Sequence, residues 1–354
     1  MKVALIGAGR MGSAVGGHVA AAGHPLRVYD ASGPREGFEN ASSVAEAAAG
    51  ADLVLLCLPG PREVKAVAPE LVAAPLVVDL TSSLPAVTRA LDLPLIDAPM
   101  SGGVSGAESG SLALMVGGDE ARLERARPVL ETFSARIFHV GPLGAGHCVK
   151  AVNNALSAVS LLATSEVVAA VAARGEDTHA WVEAINSSPG RSQNSEVKFP
   201  RDILSQRFAA GFTIGLMVKD IDNAVLIAHD RRLSVPLLAT TGRLWTAGRT
   251  RLGDGADFTE IYRMAQEWGS ASAPVPHEVA GRGLVGVGAL AAREAVAIFE
   301  AEGLEPVRCL EAINASSGRS EATRAWPRID VDAEAMLASA AGPLTALAAE
   351  LARC

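Results

Sequence analysis

Apolar positions in the first 140 residues fall in short runs set apart by stretches of helical spacing. The runs Val3–Gly7, Leu26–Asp30, Ala51–Leu58, Leu76–Leu80, Leu93–Asp97, Leu112–Val116 and Ile137–Val140 predict strands. Between them, Met11–Ala22, Ser42–Ala49, Arg62–Ala73 and Glu120–Thr132 predict helices, with Ser42 as a cap for the second. Ala51–Leu58 is apolar throughout, which suits a strand covered on both faces. Strand–helix alternation with short links implies an α/β domain with a doubly wound parallel sheet.

The pattern changes after Gly146. Cys148–Ala173 carries no strand signal and reads as one long Ala-rich helix ending at Gly175. Everything beyond reads helical, broken at Pro189-Gly190, Pro236, Gly253-Asp254-Gly255 and Pro274–Pro276. Residues 162–192 and 290–320 align without a gap at an offset of 128, with 15 of 31 positions identical. Ala-rich helices could inflate such a count, but not the shared Ile-Asn-x-Ser-x-Gly-Arg-Ser of 185–192 and 313–320. The expected organisation is residues 1–143 as an α/β domain, 144–268 as an all-α domain, and 274–354 as a second, partial copy of that all-α domain.

Composition adds limits. The chain has 354 residues, 49% of them hydrophobic, and a net charge of −8. That excludes disorder and disfavours a nucleic-acid or anionic-membrane footprint, while leaving room for a local basic pocket. Cys57, Cys148, Cys309 and Cys354 form no C-x-x-C, so a reduced cytoplasmic chain without a metal site is expected. Val3–Ala8 is too short for a signal-peptide core, and Asn153, Asn154, Ser160 and Glu166 interrupt the apolar stretch after Lys150, which reads as a buried helix.

Three segments carry candidate chemistry. Gly7-Ala8-Gly9-Arg10-Met11-Gly12 fits G-x-G-x-x-G between a strand and a helix, with Asp30 ending the next strand. That context is the Rossmann-type dinucleotide fingerprint. Asp30 would accept from the ribose hydroxyls and repel a 2′-phosphate, which favours NAD and leaves NADP possible. Ser101-Gly102-Gly103 is either a carboxylate cradle of backbone N–H groups or a plain glycine turn. Lys150 and Asn154 stand at i and i+4 on one helix face, as a snorkelling cation beside an amide or as a catalytic pair. Lys219-Asp220 reads as a helix-surface ion pair, and His147 as a residue of a helix start.

Four ordered segments make residues 1 to about 268 resemble the β-hydroxyacid dehydrogenase family. They are GAGRMG (7–12), DAPMSGGVSGAESGSLALMVGG (97–118), GAGHCVKAVNN (144–154) and GFTIGLMVKD (211–220). The resemblance implies an NAD(P)-dependent oxidoreductase of a small β-hydroxyacid or its semialdehyde. By it, Gly7, Gly9, Arg10, Met11, Gly12 and Asp30 hold the dinucleotide, and Leu58, Pro59 and Thr81 line its nicotinamide half. Ser101, Gly102 and Gly103 grip the substrate carboxylate, and Lys219 closes the site. Lys150 is the general acid/base, and Asn154 orients it and the substrate. Imine reductases share parts of these segments but usually lack the lysine; a cofactor-binding protein without turnover is the other alternative.

After residue 268 the sequence departs from most of that family. 6-Phosphogluconate dehydrogenase, the relative with a duplicated helical domain, is similar in that respect only. At the offset of 128, Glu278 stands for Lys150 and Arg282 for Asn154. Pairing Gly342 with Gly211 puts Glu350 opposite Lys219. The second copy is expected to be catalytically silent and to mimic a partner subunit, giving a homodimer or a monomer with an internal pseudo-dimer. Arg191 and Arg319, inside the shared Gly-Arg-Ser, are expected in turn or cap roles.

Overall fold

Nine short strands carry the N-terminal half. A computed structural model describes residues 1–268, 276–328 and 331–353. Pro274, where the second copy is expected to begin, and Cys354 lie outside the described residues. The chain divides into two compact units, residues 1–150 with 307–312, and residues 151–306 with 313–354.

In the first unit the strands are β1 (Val3–Ile6), β2 (Leu26–Tyr29), β3 (Glu39–Asn40), β4 (Leu53–Leu56), β5 (Val77–Asp79), β6 (Leu95–Asp97), β7 (Met100–Ser101), β8 (Leu112–Gly117) and β9 (Ser134–Gly141). Their order is β3-β2-β1-β4-β5-β6-β8-β7, with β9 also on β8. The expected all-parallel sheet is corrected here: β8 runs antiparallel to both β6 and β7, so the sheet is mixed. The helices are α1 (Arg10–Ala21), α2 (Val44–Ala48), α3 (Pro61–Val67), α4 (Pro85–Arg89), α5 (Gly103–Glu108) and α6 (Glu120–Leu130). Ser43, not Ser42, caps α2, because Ser43 accepts from the Glu46 N–H while Ser42 donates to the Glu46 carboxylate.

Burial explains why the strands are apolar without alternation. Val3, Leu5, Leu53 and Leu55 belong to one core, and Ala4, Ile6, Val54 and Leu56 to another. Each strand therefore feeds both faces of the sheet. Strand order reverses between β1 and β4, which places a crevice beyond their C-terminal ends.

The long helix α7 (Ala145–Ala173) runs from the first unit into the second, past Lys150. It is apolar and long enough to cross a membrane by composition, yet its side chains are buried within the fold. There follow α8 (Thr178–Asn186), a wide π-type turn over Asn194–Ile203, α9 (Ile214–Asp230), α10 (Pro236–Leu252) and α11 (Ile261–Trp268). The rest comprises α12 (His277–Ala301), α13 (Pro306–Asn314), α14 (Glu321–Ala325), α15 (Ala333–Ala338) and α16 (Pro343–Leu351). α8 and α13 have the same limits at the offset of 128, and α7 and α12 end at the same point.

Within the second unit the two copies meet reciprocally. Ser192 bridges Ser320 antiparallel, two positions related by the offset. The Gln193 N–H donates to the Arg319 carbonyl, and the Glu321 N–H to that of Arg191. Arg191 pairs with Glu321 at 3.0 Å and Arg319 with Glu196 at 2.6 Å. The two arginines thus join the copies rather than cap a helix.

A matched pair of carboxylates reinforces this. Glu166 accepts from the Leu344 and Thr345 N–H groups at the start of α16, each at 2.8 Å. Its counterpart Glu294 accepts from the Leu237 and Leu238 N–H groups at the start of α10, at 2.8 and 2.9 Å. Each copy thereby satisfies helix N-terminal donors of the other. Burial pushes both carboxyls up, and the donated N–H bonds pull part of the way back. The exchange pairs Pro343-Leu344 with Pro236-Leu237. The Gly342–Gly211 pairing is corrected accordingly, and Glu350 does not stand at the Lys219 position.

Candidate functional site

The glycine turn after β1 has the shape a dinucleotide needs. A Cβ on Gly7 (φ +94°) would press into the Cys57 carbonyl, and one on Gly12 into the Gly7 carbonyl. Gly9 has nothing within 4 Å of such an atom. Two glycines thus permit close packing and the middle one leaves backbone open to a pyrophosphate at the start of α1. Asp30 is tied to this turn: one oxygen accepts from the Ala8 N–H at 2.7 Å, the other from the Ser32 N–H and Arg35 at 2.8 Å. Burial raises the Asp30 carboxyl, but these bonds and the Arg35 charge outweigh it, and the net shift is downward. Arg10 is exposed at the first position of α1, and Met11 packs part-buried on the core.

Beyond β4 and β5, the Leu58 N–H donates to the Thr81 hydroxyl at 3.2 Å, and the Thr81 N–H to Asp79 at 2.9 Å. Leu58, its neighbour Pro59 and Thr81 therefore stand together beside the glycine turn's strand. Ser101 is buried in β7, and Gly102 and Gly103 follow with φ of +133° and +63°. Both glycines lie in the positive-φ region that favours glycine, just before and at the start of α5.

Lys150 and Asn154 lie one turn apart on α7, both buried, with 8% and 4% exposure. The start of α7 is anchored by Asp97, which accepts from the Gly144 N–H at 2.7 Å and the His147 N–H at 2.8 Å. The His147 ring is buried, 2.7 Å from the Thr88 hydroxyl and 3.7 Å from Asp79. It serves the helix start, as its sequence neighbours suggest. Burial pushes the Asp97 carboxyl up to about 7 and that of Asp79 up to about 6. Desolvation, with the Asp79 charge beside it, likewise raises the Cys57 thiol to about 12.

In the second unit Asn154 is held on both sides. Its Nδ2 donates to Asp220 at 2.5 Å, and its Oδ1 accepts from Asn153 at 3.0 Å. A carboxylate only accepts, so the amide orientation follows from the partner. Asp220 also pairs with Lys219 at 3.2 Å, joining the expected lysine to the same group. Asp220 and Asn153 are the members that spacing does not reveal. The adjacency Lys219-Asp220 in one segment and Asn153-Asn154 in another was the available signal.

Comparisons with known proteins agree with this architecture. Residues 2–141 match the NAD binding domain of 6-phosphogluconate dehydrogenase. Residues 144–265 match the family described as NAD-binding of NADP-dependent 3-hydroxyisobutyrate dehydrogenase. A 3-hydroxyisobutyrate dehydrogenase of Pseudomonas aeruginosa is 31% identical over 291 residues, covering 74% of this chain and 97% of that one. An NAD-dependent L-serine dehydrogenase of the same organism is 32% identical over 262 residues, covering 67% and 88%. The structure of Mycobacterium tuberculosis 3-hydroxyisobutyrate dehydrogenase with L-serine superposes with a TM-score of 0.69 at 29% identity, covering 74% and 98%. With its glycine turn, its Lys150–Asn154 helix and relatives covered almost end to end, this chain belongs to the β-hydroxyacid dehydrogenase family of NAD(P)-dependent oxidoreductases of small hydroxyacids.

Proposed function

We propose that this enzyme interconverts a small β-hydroxyacid and its semialdehyde, with Lys150 as general acid/base. The observation that carries the reading is the buried helix on which Lys150 and the doubly held Asn154 amide stand one turn apart. A bound nicotinamide dinucleotide supplies the hydride acceptor for oxidation and the donor for reduction. The Gly9 backbone and the start of α1 hold its pyrophosphate, and Leu58, Pro59 and Thr81 border its reactive end.

The Ser101 hydroxyl and the Gly102 and Gly103 N–H groups receive the substrate carboxylate. This clamp brings the hydroxyl-bearing carbon to a fixed place, and orientation of that kind is worth several kcal/mol. In oxidation Lys150 Nζ takes the hydroxyl proton; in reduction it returns one to the aldehyde oxygen. The ammonium charge stabilises the alkoxide that develops in either direction. Asn154, steadied by Asp220, orients the hydroxyl, and Lys219 adds a cation toward the acidic substrate. Asp30 stays ionised and makes NAD the preferred dinucleotide. Arg35 on the same carboxylate gives NADP a second place.

The reciprocal contacts of the two copies support an internal pseudo-dimer that replaces a partner subunit. The assembly is a monomer or homodimer, working in the cytoplasm where Cys57, Cys148 and Cys309 stay thiols.

The test is a panel of β-hydroxyacids and semialdehydes with NAD and NADP, including 3-hydroxyisobutyrate and L-serine, the substrates in the relatives' names. Turnover of at least one acid is expected. Amine formation from imines without hydroxyacid turnover would move the chain to the imine reductases. NADH binding without any turnover would make it a binding protein. Mass in solution checks the assembly, and a tetramer would count against the pseudo-dimer.

A further inference from the structure

We infer that the second copy of the helical repeat supplies a positioning residue to the first copy's reaction site: Ser317, with the Gly318 N–H, sets Asn153, and Asn153 sets the amide of Asn154. The inference rests on the reading that Asn154 serves the reaction.

The hydrogen bonds form a chain whose sense is fixed at both ends. The Gly318 N–H can only donate, and it donates to Asn153 Oδ1 at 2.9 Å. Asn153 Nδ2 must then face the other way, where it donates to Ser317 Oγ at 2.8 Å and to Asn154 Oδ1 at 3.0 Å. Asn154 Nδ2 in turn donates to Asp220, which can only accept. Asn153 is fully buried, so its amide depends on these partners. Two of them come from a turn 164 and 165 residues away.

The pseudo-symmetry of the repeat provides an internal control. At the mirrored contact the first copy's turn meets the second copy's long helix with the same backbone seating. A Cβ on Gly190 would lie 2.9 Å from the Gly281 carbonyl, and one on Gly318 2.7 Å from the Asn153 carbonyl. The side chains do not repeat. Pro189 stands for Ser317, Gly281 for Asn153 and Arg282 for Asn154. The copies therefore seat on each other without a serine–asparagine pair. That pair is present only where the long helix carries the buried lysine.

The test uses the full chain labelled with ¹⁵N at its seven asparagines, with the Asn154 side-chain amide assigned through Asn154→Asp. Ser317→Ala should shift the Asn153 and Asn154 amide resonances. It should lower kcat for the hydroxyacid roughly tenfold, in line with the cost of sub-ångström misplacement, and leave KM for NAD within twofold. Ser317→Thr should restore both. Pro189→Ala, the mirrored change, should alter neither. A stationary Asn154 resonance in Ser317→Ala overturns the inference, as does an unchanged kcat when the resonance moves, or an equal kcat loss in Pro189→Ala. If the wild-type chain turns over no β-hydroxyacid, the proposed reaction fails. The resonances of Ser317→Ala then decide by themselves whether Ser317 sets Asn154.

Discussion

The two copies of the helical repeat share their packing and differ in their chemistry. α8 and α13, the Gly-Arg-Ser turns and the exchanged carboxylates Glu166 and Glu294 repeat closely. Lys150, Asn153 and Asn154 do not: Glu278, Gly281 and Arg282 take their places. Burial shows why. Lys150 lies a turn and a half inside α7, behind a start held by Asp97, and is 8% exposed. Glu278 is the second residue of α12, exposed, after a Pro276 cap that makes no side-chain bond. What a copy uses to pack is retained; Lys150 and Asn154, proposed above for the reaction, stand only on α7, the helix that follows the sheet in the chain.

The largest effect that would sharpen this contrast is on turnover. Lys150→Ala should reduce kcat by about three orders of magnitude or more while NADH still binds, because proton transfer and alkoxide stabilisation are lost together. Glu278→Ala should leave kcat within twofold. Steady-state kinetics with NADH fluorescence titration checks both, and substantial turnover in Lys150→Ala removes the lysine from the mechanism.

The exchanged carboxylates test the shared half of the comparison. Glu166→Ala leaves two buried N–H groups of α16 without acceptors, an expected loss of roughly 2–4 kcal/mol. Glu294 is half-buried, so Glu294→Ala should cost less, roughly 1–2 kcal/mol. Denaturant unfolding measures each. A silent Glu166→Ala would mean that the carboxylate contributes nothing to joining the copies.

How far the sequence reveals this molecule depends on how local each feature is. Strands buried on both faces announce themselves as apolar runs, and the observed ones fall within those expected for β1, β2, β4, β5 and β6. The two-residue strands β3 and β7 are too short for periodicity to show. The antiparallel course of β8 is a property of strand neighbours far apart in sequence. At the site, the i, i+4 spacing of Lys150 and Asn154 shows only that they share one helix face; their proposed roles come from the family resemblance and not from the spacing. Asp220 and Ser317 reach Asn153-Asn154 from 66 and 164 residues away, which no local pattern encodes. The identical Glu166 and Glu294 were visible in the repeat, but their partners were not.

The start of α7 also sets a pH dependence. Asp97, buried with Asp79 and His147, has its carboxyl raised to about 7 by desolvation. The native state then keeps a proton that the unfolded chain releases above about pH 4, so stability falls as pH rises from 4 through 7. Asp79, at about 6, adds to the same slope. Asp97→Asn should flatten that slope. Unfolding midpoints between pH 4 and 8 give the answer, and equal slopes in both proteins would discard Asp97 as the titrating group.

The smallest effect concerns the arginines that join the copies. The Arg191–Glu321 and Arg319–Glu196 pairs are partly solvent-exposed, so each should be worth under about 1 kcal/mol. Arg191→Ala and Arg319→Ala should therefore shift unfolding only slightly and leave KM for the hydroxyacid unchanged. Arg319→Ala should show the larger shift, because its pair is shorter and its guanidinium less exposed, 21% against 41%. Raising salt should reduce both shifts, and that of Arg191→Ala proportionally more, since screening weakens exposed pairs most. A tenfold rise in KM for the acid in either variant would instead give that arginine a place at the substrate and end the view that the Gly-Arg-Ser turns only hold the copies together.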